Sequence, residues 1–141
     1  MRAAIVSRYG PPDVVRIVDL PDPVPAPGEV LVRVHATTVS SGDARVRAFR
    51  VPRVFWVPAR IALGVMRPRR QVLGTEFAGV VEGVGEGVTR FAPGDRVFGM
   101  VSFSAPGGTH AERVTIASDA MIDCMPEGMT FDEAGCMCFG L

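Results

Sequence analysis

Short runs of β-branched and other apolar residues, separated by turn residues, follow one another along most of the chain. Residues 2–7 and 14–20 predict two strands, and the turn Tyr9-Gly10-Pro11-Pro12-Asp13 lies between them. Four prolines between residues 21 and 28 each remove a backbone donor, which predicts an extended loop. In residues 29–38 valines at every second position alternate with other residues, so this segment is predicted to be a half-buried strand.

The second half of the chain continues the strand pattern. Residues 74–88 are rich in glycine, but residues 91–95 follow where a nucleotide-binding loop would need a helix. We therefore interpret these glycines as part of a strand that bends sharply or approaches another backbone closely. Residues 96–100, 110–117 and 121–125 predict further strands.

Helices are predicted to be few and short. Ser40-Ser41-Gly42-Asp43 is typical of a helix start, and Asp43 can pair with Arg47 four residues later. Prolines 52, 58 and 68 permit only short helices beyond Phe49. Thr130 and Glu133 have capping-box spacing, and the apolar residues up to Leu141 are expected to have nothing in the chain to pack against.

Composition indicates a globular protein, with 48% hydrophobic and 21% charged residues. Fifteen arginines balance fifteen acids, so the net charge predicts neither a nucleic-acid nor a membrane partner. The charge is uneven, however, because residues 44–75 contain eight arginines and no acid. This basic segment is either a solvated insertion whose arginines pair with the acidic remainder or, given Phe49, Phe55 and Trp56, an interaction surface.

The cysteines and histidines give no recognisable reactive or metal site. Cys124, Cys136 and Cys138 are too few and too closely spaced for a disulfide framework, and their spacing is unlike that of common zinc sites. His35 lies within a predicted strand, where a packing role is usual, and His110 has no serine or cysteine partner at a recognisable spacing. Without a signal peptide or a long apolar run, the chain is expected to be cytoplasmic.

Five sequence blocks, in this order, carry a family resemblance: Tyr9-Gly10-Pro11-Pro12, Pro27-Gly28-Glu29-Val30-Leu31-Val32-Arg33-Val34, Gly74-Thr75-Glu76-Phe77-Ala78-Gly79-Val80-Val81, Pro93-Gly94-Asp95-Arg96-Val97-Phe98-Gly99 and Gly107-Gly108-Thr109-His110-Ala111-Glu112. Together they resemble the N-terminal, GroES-like catalytic domain of the medium-chain dehydrogenase/reductase superfamily. The resemblance implies a mainly β fold with short helices, a GroES-like partly open β-barrel over residues 1–129. Residues 130–141 would begin the helix that leads to a Rossmann cofactor domain absent from this chain.

Two positions point to a branch of that superfamily. Ser40 stands where zinc-dependent members have a metal-binding cysteine, and Thr75 stands where they have a histidine. A hydroxyl is a poor zinc ligand, so the chain resembles the zinc-independent quinone oxidoreductase branch. The resemblance implies an NAD(P)H-dependent reductase of quinones, enones or related carbonyls. NADPH or NADH would be bound mainly by the absent domain, and the full-length protein would be a homodimer.

The resemblance also implies positions for the site. Residues that line the catalytic cleft would be Ser40, Asp43, Arg45 and Arg47, with Ser40 and an arginine as hydrogen-bond donors, while Ser40 and Ser41 would border the nicotinamide. Alternatively, Ser40 only caps a helix and Asp43 and Arg47 only form a stabilising pair. Glu76 is interpreted as a buried, hydrogen-bonded strand residue. For the whole chain, the alternative is a stand-alone GroES-like binding module with no redox activity.

Overall fold

A computed structural model of the chain describes residues 1–102, 105 and 107–140. Its strands are β1 (Arg2–Val6), β2 (Val15–Asp19), β3 (Glu29–Thr37), β4 (Glu76–Val84), β5 (Arg96–Met100), β6 (Arg113–Ala117) and β7 (Met121–Cys124). Its helices are α1 (Ser41–Ala48), α2 (Trp56–Leu63), α3 (Phe131–Gly135) and α4 (Met137–Gly140), with 3₁₀ turns at Pro12–Val14 and Arg53–Phe55. The prediction of a mainly β fold with short helices is confirmed.

Five antiparallel strands form one curled sheet in the order β6-β3-β4-β5-β7. The register of β3 against β4 shifts twice, between Leu31 and Val32 and between Val34 and Ala36, and such irregularities increase local twist. Strands β1 and β2 form a separate antiparallel hairpin, which isolated bridges attach near Val72 and Ala111. The result is the partly open barrel that the family resemblance implies.

The core lies on the inner face of this sheet and follows from the alternation in β3. Val30 and Val32 are completely buried, and Val34 packs against the same cluster. Phe77 from β4 and Val97 from β5 complete its centre. Arg33 and His35 are exposed, so the predicted half-buried strand is confirmed.

The glycines after β4 serve a close backbone contact, as expected. A Cβ atom on Gly85 would overlap the carbonyl oxygen of Ala26 in the proline-rich loop. The amide of Gly85 donates to the Glu29 carbonyl at 2.8 Å, and the amide of Gly28 donates to the Glu86 carbonyl at 2.8 Å. Glycine is therefore needed where the two loops cross.

Most predicted strand ends are correct to within one residue, but two differ for local reasons. β6 begins at Arg113 rather than at residue 110, because Thr109 and His110 bond to the loop before β4. β4 begins at Glu76, and residues 85–88 leave the strand to form the glycine turn.

Both predicted helix starts are confirmed, each with a reciprocal capping box: Ser40 with Asp43 for α1, and Thr130 with Glu133 for α3. The predicted Asp43–Arg47 pair is wrong. Arg47 instead donates to the Gly10 carbonyl at 2.6 Å, which ties α1 to the turn after β1.

Helix α3 packs against the sheet, which corrects the expectation that residues after Thr130 have nothing to contact. The Phe131 ring stacks on His35 with centroids 4.4 Å apart, and Ala134 is buried. Gly135 lies against Ala36 on β3. Leu141 and the Phe139 side chain are outside the described part of the chain.

The basic segment at residues 44–75 does not form the ion pairs that one interpretation expected. In the described part of the chain, none of its eight arginines forms an ion pair with a carboxylate, so that interpretation is wrong. The acidic side chains pair instead with the N-terminus and with arginines outside the segment, namely Arg2, Arg33, Arg90 and Arg113. Over the same described residues, no helix has the length and apolarity needed to cross a bilayer.

Candidate functional site

A buried carboxylate lies at the start of α1. Asp43 is only 6% exposed. Its Oδ2 accepts from the backbone amide of Ser40 at 2.9 Å and from the Ser40 hydroxyl at 2.8 Å. The Ser40 oxygen in turn accepts from the Asp43 amide at 3.2 Å, so the serine both donates its hydroxyl proton and accepts one bond in the helix cap.

The second oxygen of the Asp43 carboxylate reaches outside the helix. Oδ1 accepts from the backbone amide of Gly74 at 2.9 Å, a bond between residues 31 positions apart. Gly74 has a φ of +87°, and a Cβ there would collide with Thr109 and His110. Asp43 thus fixes the loop that leads into Thr75 and β4.

Arg70 also binds the loop that leads into Thr75 and β4. Its guanidinium donates to the carbonyls of Val72 at 3.0 Å, Ser102 at 3.1 Å and Gly74 at 2.5 Å. Partial burial lowers the pKa of Arg70, and the negative charge of Asp43 counteracts that effect. The cation is therefore held beside the buried carboxylate by backbone carbonyls.

Thr75 and Glu76 follow directly and are both buried, at 2% exposure each. Glu76 Oε2 accepts a short hydrogen bond from the Thr38 hydroxyl, which confirms its interpretation as a hydrogen-bonded strand residue. The Thr75 hydroxyl has no hydrogen-bond partner, which is unusual for a buried polar group. Among the described residues it is the one buried side-chain oxygen without a partner.

Two cavities flank Asp43. The smaller, of about 330 Å³, is lined by Asp43 and Thr75 together with Leu63, Arg69 and Arg70 among others. The larger is a mostly apolar groove of about 750 Å³ between the β1–β2 hairpin and β3, and Asp43, Arg47 and His110 line it. We call them the Thr75 cavity and the hairpin groove.

The predicted site residues are only partly brought together. Asp43 borders both cavities and Arg47 borders the hairpin groove. Ser40, Ser41 and Arg45 line neither of them, and Ser41 and Arg45 are exposed on α1.

Sequence reasoning missed Thr75 and Arg70 as members of this site. Thr75 was singled out only as the residue that replaces a metal-binding histidine. The one clue in the sequence that Thr75 belongs to the site was this replacement next to Glu76, which was expected to be buried.

An aromatic cluster joins α1 to α2 next to the Thr75 cavity. The Arg60 guanidinium lies 3.9 Å from the Phe49 ring centroid, 4.9 Å from that of Tyr9 and 5.0 Å from that of Trp56. The Tyr9 hydroxyl lies within hydrogen-bond distance of two carbonyls at the end of α2, at 2.9 and 3.0 Å. Burial raises the pKa of Tyr9, and the Arg60 charge opposes the rise. These contacts position α2 beside the cavity.

Metal ligands are not grouped in the described part of the chain, where no cluster of three or more His, Cys, Asp or Glu side chains suits a metal ion. Cys124, Cys136 and Cys138 are all free thiols and exposed. Burial of part of the side chain, with a smaller effect from Glu76, raises the pKa of the Cys138 thiol.

Comparison with known proteins gives one family and a consistent set of relatives. The model of the alcohol dehydrogenase GroES-like domain matches residues 26–129. Trans-enoyl reductase FMN2 of Fusarium mangiferae is 36% identical over 122 residues, which cover 86% of this chain and 27% of that protein. The quinone oxidoreductase of Mus musculus is 31% identical over 141 residues, covering 97% of this chain and 37% of the relative.

Solved structures agree with the sequence relatives. The quinone oxidoreductase from Coxiella burnetii superposes with a TM-score of 0.80 at 28% identity, covering 96% of this chain and 40% of that one. The Escherichia coli quinone oxidoreductase complexed with NADPH gives a TM-score of 0.75 at 26% identity, covering 96% and 36%. The chain therefore spans well under half the length of the relatives that it matches.

Proposed function

Because the chain belongs to the alcohol dehydrogenase GroES-like domain family, we propose that it is the catalytic-domain portion of an NAD(P)H-dependent oxidoreductase. Its substrates are quinones, enones or related carbonyls. The relatives named as quinone oxidoreductases and as a trans-enoyl reductase support this substrate class. These substrates share an oxygen that gains negative charge as hydride is delivered, so the site must offer hydrogen-bond donors to that oxygen.

The observation that carries the proposal is the buried, unpartnered hydroxyl of Thr75, a residue that lines the Thr75 cavity. A substrate carbonyl in this cavity would supply the missing acceptor, and the nearby Arg70 charge would favour a developing oxyanion. The Ser40 hydroxyl is bonded to Asp43, so Ser40 can donate to substrate only by giving up that bond. Thr75 is therefore the preferred donor, with Asp43 holding its loop in place.

The cleft residues of α1 keep the roles implied by the family. We assign Ser40, Asp43, Arg45 and Arg47 to the cleft wall, with Ser40 and Ser41 bordering the nicotinamide. Ser41 and Arg45 are exposed on α1, and neither side chain forms a hydrogen bond or ion pair in the described part of the chain, so both are open to contact from a cofactor. Such a contact suits an anionic or amide-bearing group. When bound, a reduced nicotinamide supplies the hydride.

Polarisation by hydroxyl groups replaces a metal in this proposal. The positions of the two metal ligands in zinc-dependent members hold Ser40 and Thr75, and a neutral hydroxyl binds Zn²⁺ poorly. The Ser40 oxygen is also committed to the capping box. This donor set does not fit a zinc ion, and we propose chemistry without zinc.

Residues 1–129 form the catalytic domain in this proposal, and residues from 130 onwards lead towards a nicotinamide-binding Rossmann domain. The greater length of the relatives supports the need for a second domain. A homodimeric full-length protein and a cytoplasmic location stay predictions of the sequence.

The test is turnover in a chimera that joins this chain to the Rossmann domain of a quinone oxidoreductase. We expect NADPH oxidation that depends on 1,4-benzoquinone or 2-cyclohexenone. Thr75→Val should lower kcat/KM by about 100-fold, the usual loss for a single oxyanion donor. Thr89→Val, on an exposed loop, is the matched control and should leave kcat/KM unchanged.

Ser40→Ala separates the two donor assignments, because it should lower kcat/KM much less than Thr75→Val. A folded chimera that binds NADPH but oxidises it with neither substrate would contradict the proposed function and favour a binding module. Unchanged kcat/KM in Thr75→Val would remove Thr75 as the donor.

A further inference from the structure

Residues 50–69, which we call the basic patch, combine exposed apolar side chains with arginines. Seven apolar side chains between residues 54 and 66 are about half exposed or more, and Val54 and Met66 reach 78% and 88%. On α2, Val57 and Ile61 are four residues apart, so they share one face of the helix. Contiguous apolar exposure of this kind marks an interaction surface.

The positive charge of the basic patch indicates that its partner is negatively charged. Arg50, Arg53, Arg67 and Arg69 are exposed, and the patch contains no acidic residue. None of these arginines reaches a carboxylate in the described part of the chain. A partner that covers the apolar side chains would therefore place negative charge around them.

We propose that the basic patch docks on the surface of an anionic lipid bilayer. Apolar and aromatic side chains enter the boundary between headgroups and acyl chains, while arginine guanidinium groups remain at the level of anionic headgroups. Trp56, the sole tryptophan of the chain, lies in the patch and is of the residue type favoured at that depth. A net charge of zero led to the expectation of no membrane partner, whereas the excess of arginine in residues 44–75 left an interaction surface open as an alternative.

The shape of the patch favours a bilayer over an acidic protein. Its most exposed apolar side chains project into solvent, as the exposures of Val54 and Met66 show, and they line neither the Thr75 cavity nor the hairpin groove. A protein partner would need a matching concave surface, whereas a fluid bilayer accommodates projecting side chains of any arrangement.

Docking also gives the Thr75 cavity a route for substrate. Leu63 and Arg69, which belong to the patch, line that cavity together with Thr75. A docked patch would place this wall of the cavity next to the lipid. This part of the inference rests on the proposed function, because quinones and enones with apolar substituents dissolve in the bilayer.

The experiment is co-sedimentation of the chain with lipid vesicles, without cofactor or substrate. Vesicles of phosphatidylcholine are compared with vesicles that contain about one third phosphatidylglycerol. We expect binding to the anionic vesicles only, with loss of binding as salt is raised to about 0.5 M. Trp56 fluorescence should shift to shorter wavelength on binding, because the indole leaves water.

Matched variants test whether the vesicles bind at the basic patch. Met66→Ser and Arg67→Glu should each weaken vesicle binding by about ten-fold. Val24→Ser, which changes an equally exposed valine outside the patch, and Arg90→Glu should not weaken it. Circular dichroism confirms that all four variants are folded.

The proposal is overturned by absent binding, by equal binding to neutral vesicles, or by equal losses in the patch and control variants. Binding to poly-glutamate without binding to vesicles would assign the patch to an acidic protein and also overturn it. Because the vesicle assay needs no turnover, its failure leaves the reductase proposal intact. An inactive chimera would likewise leave vesicle binding unaffected.

Discussion

Asp43 offers a sharp test of how this site is held together, because the chain contains a second capping box of nearly identical geometry. In both boxes a carboxylate accepts from the cap amide at 2.9 Å and from the cap hydroxyl at 2.8 Å. Only Asp43 is buried, and only Asp43 also accepts from a distant amide, that of Gly74. Glu133, its counterpart on α3, is exposed. Asp43→Ala and Glu133→Ala therefore differ by burial and by the Gly74 bond.

We expect Asp43→Ala to lower the free energy of unfolding by about 2–4 kcal/mol. Loss of the helix cap contributes about 1 kcal/mol. The buried amide of Gly74, left without an acceptor, contributes about 1–3 kcal/mol more. Water entering from the flanking cavities would reduce the second contribution towards its lower end. A total loss of about 2 kcal/mol would lower the melting temperature by roughly 10 °C.

Urea unfolding followed by far-ultraviolet circular dichroism measures both variants. Glu133→Ala should give a clearly smaller loss with the same m-value, since it removes a cap but no buried cross-link. Asp43→Asn should lie between the wild type and Asp43→Ala, because its amide group retains one acceptor oxygen. Equal losses for Asp43→Ala and Glu133→Ala would refute the idea that the carboxylate fixes the loop before Thr75.

Three further predictions concern other parts of the fold. Gly85→Ala should destabilise the protein by more than about 2 kcal/mol, because its Cβ would overlap a carbonyl of the proline-rich loop, whereas Gly83→Ala, with open space around it, should be nearly neutral in urea unfolding. Arg60→Met should lose about 1–2 kcal/mol through the contact with Phe49 and alter tryptophan fluorescence, and an unchanged spectrum would argue against the cluster. Hydrogen bonding from the backbone amide of its cap residue holds the pKa of Glu133 below its ordinary 4.5. Its stabilisation should therefore be complete above that pH and disappear as pH falls through the lowered pKa. Asp22 and Glu112 also have lowered pKa values, so Glu133→Gln should show a smaller loss of stability than the wild type between pH 6 and pH 3 in urea titrations, and an equal loss would contradict the prediction.

Local patterns predicted the elements whose cause is local. The alternation in β3 placed Val30 and Val32 in the core because a strand has a two-residue period. The capping boxes placed the starts of α1 and α3, since cap and carboxylate are only three residues apart. The glycine turn was correctly separated from a nucleotide-binding loop because no helix could follow it.

Contacts between distant segments could not be predicted in the same way. The spacing of Arg47 allowed a bond to Asp43, but the Gly10 carbonyl, 37 positions away, competes for the same guanidinium. Thr75 became prominent only once the fold showed a buried hydroxyl without a partner. That none of the eight arginines forms an ion pair in the described part of the chain likewise depends on where the acids lie in space.

The path of the chain between β3 and β4 determines where the sequence can change in length without disturbing the sheet. The chain leaves the sheet at Thr37 and returns at Glu76, and the Thr37 hydroxyl donates to the Glu76 carbonyl at 2.8 Å. Residues 38–75 thus begin and end at one hydrogen-bonded point of the five-stranded sheet, and they contribute no strand to it. Doubling the length of such a connecting segment would cost only about 0.6 kcal/mol of loop-closure entropy. We therefore expect residues 50–69 to tolerate changes of length and sequence while the five-stranded sheet stays unchanged.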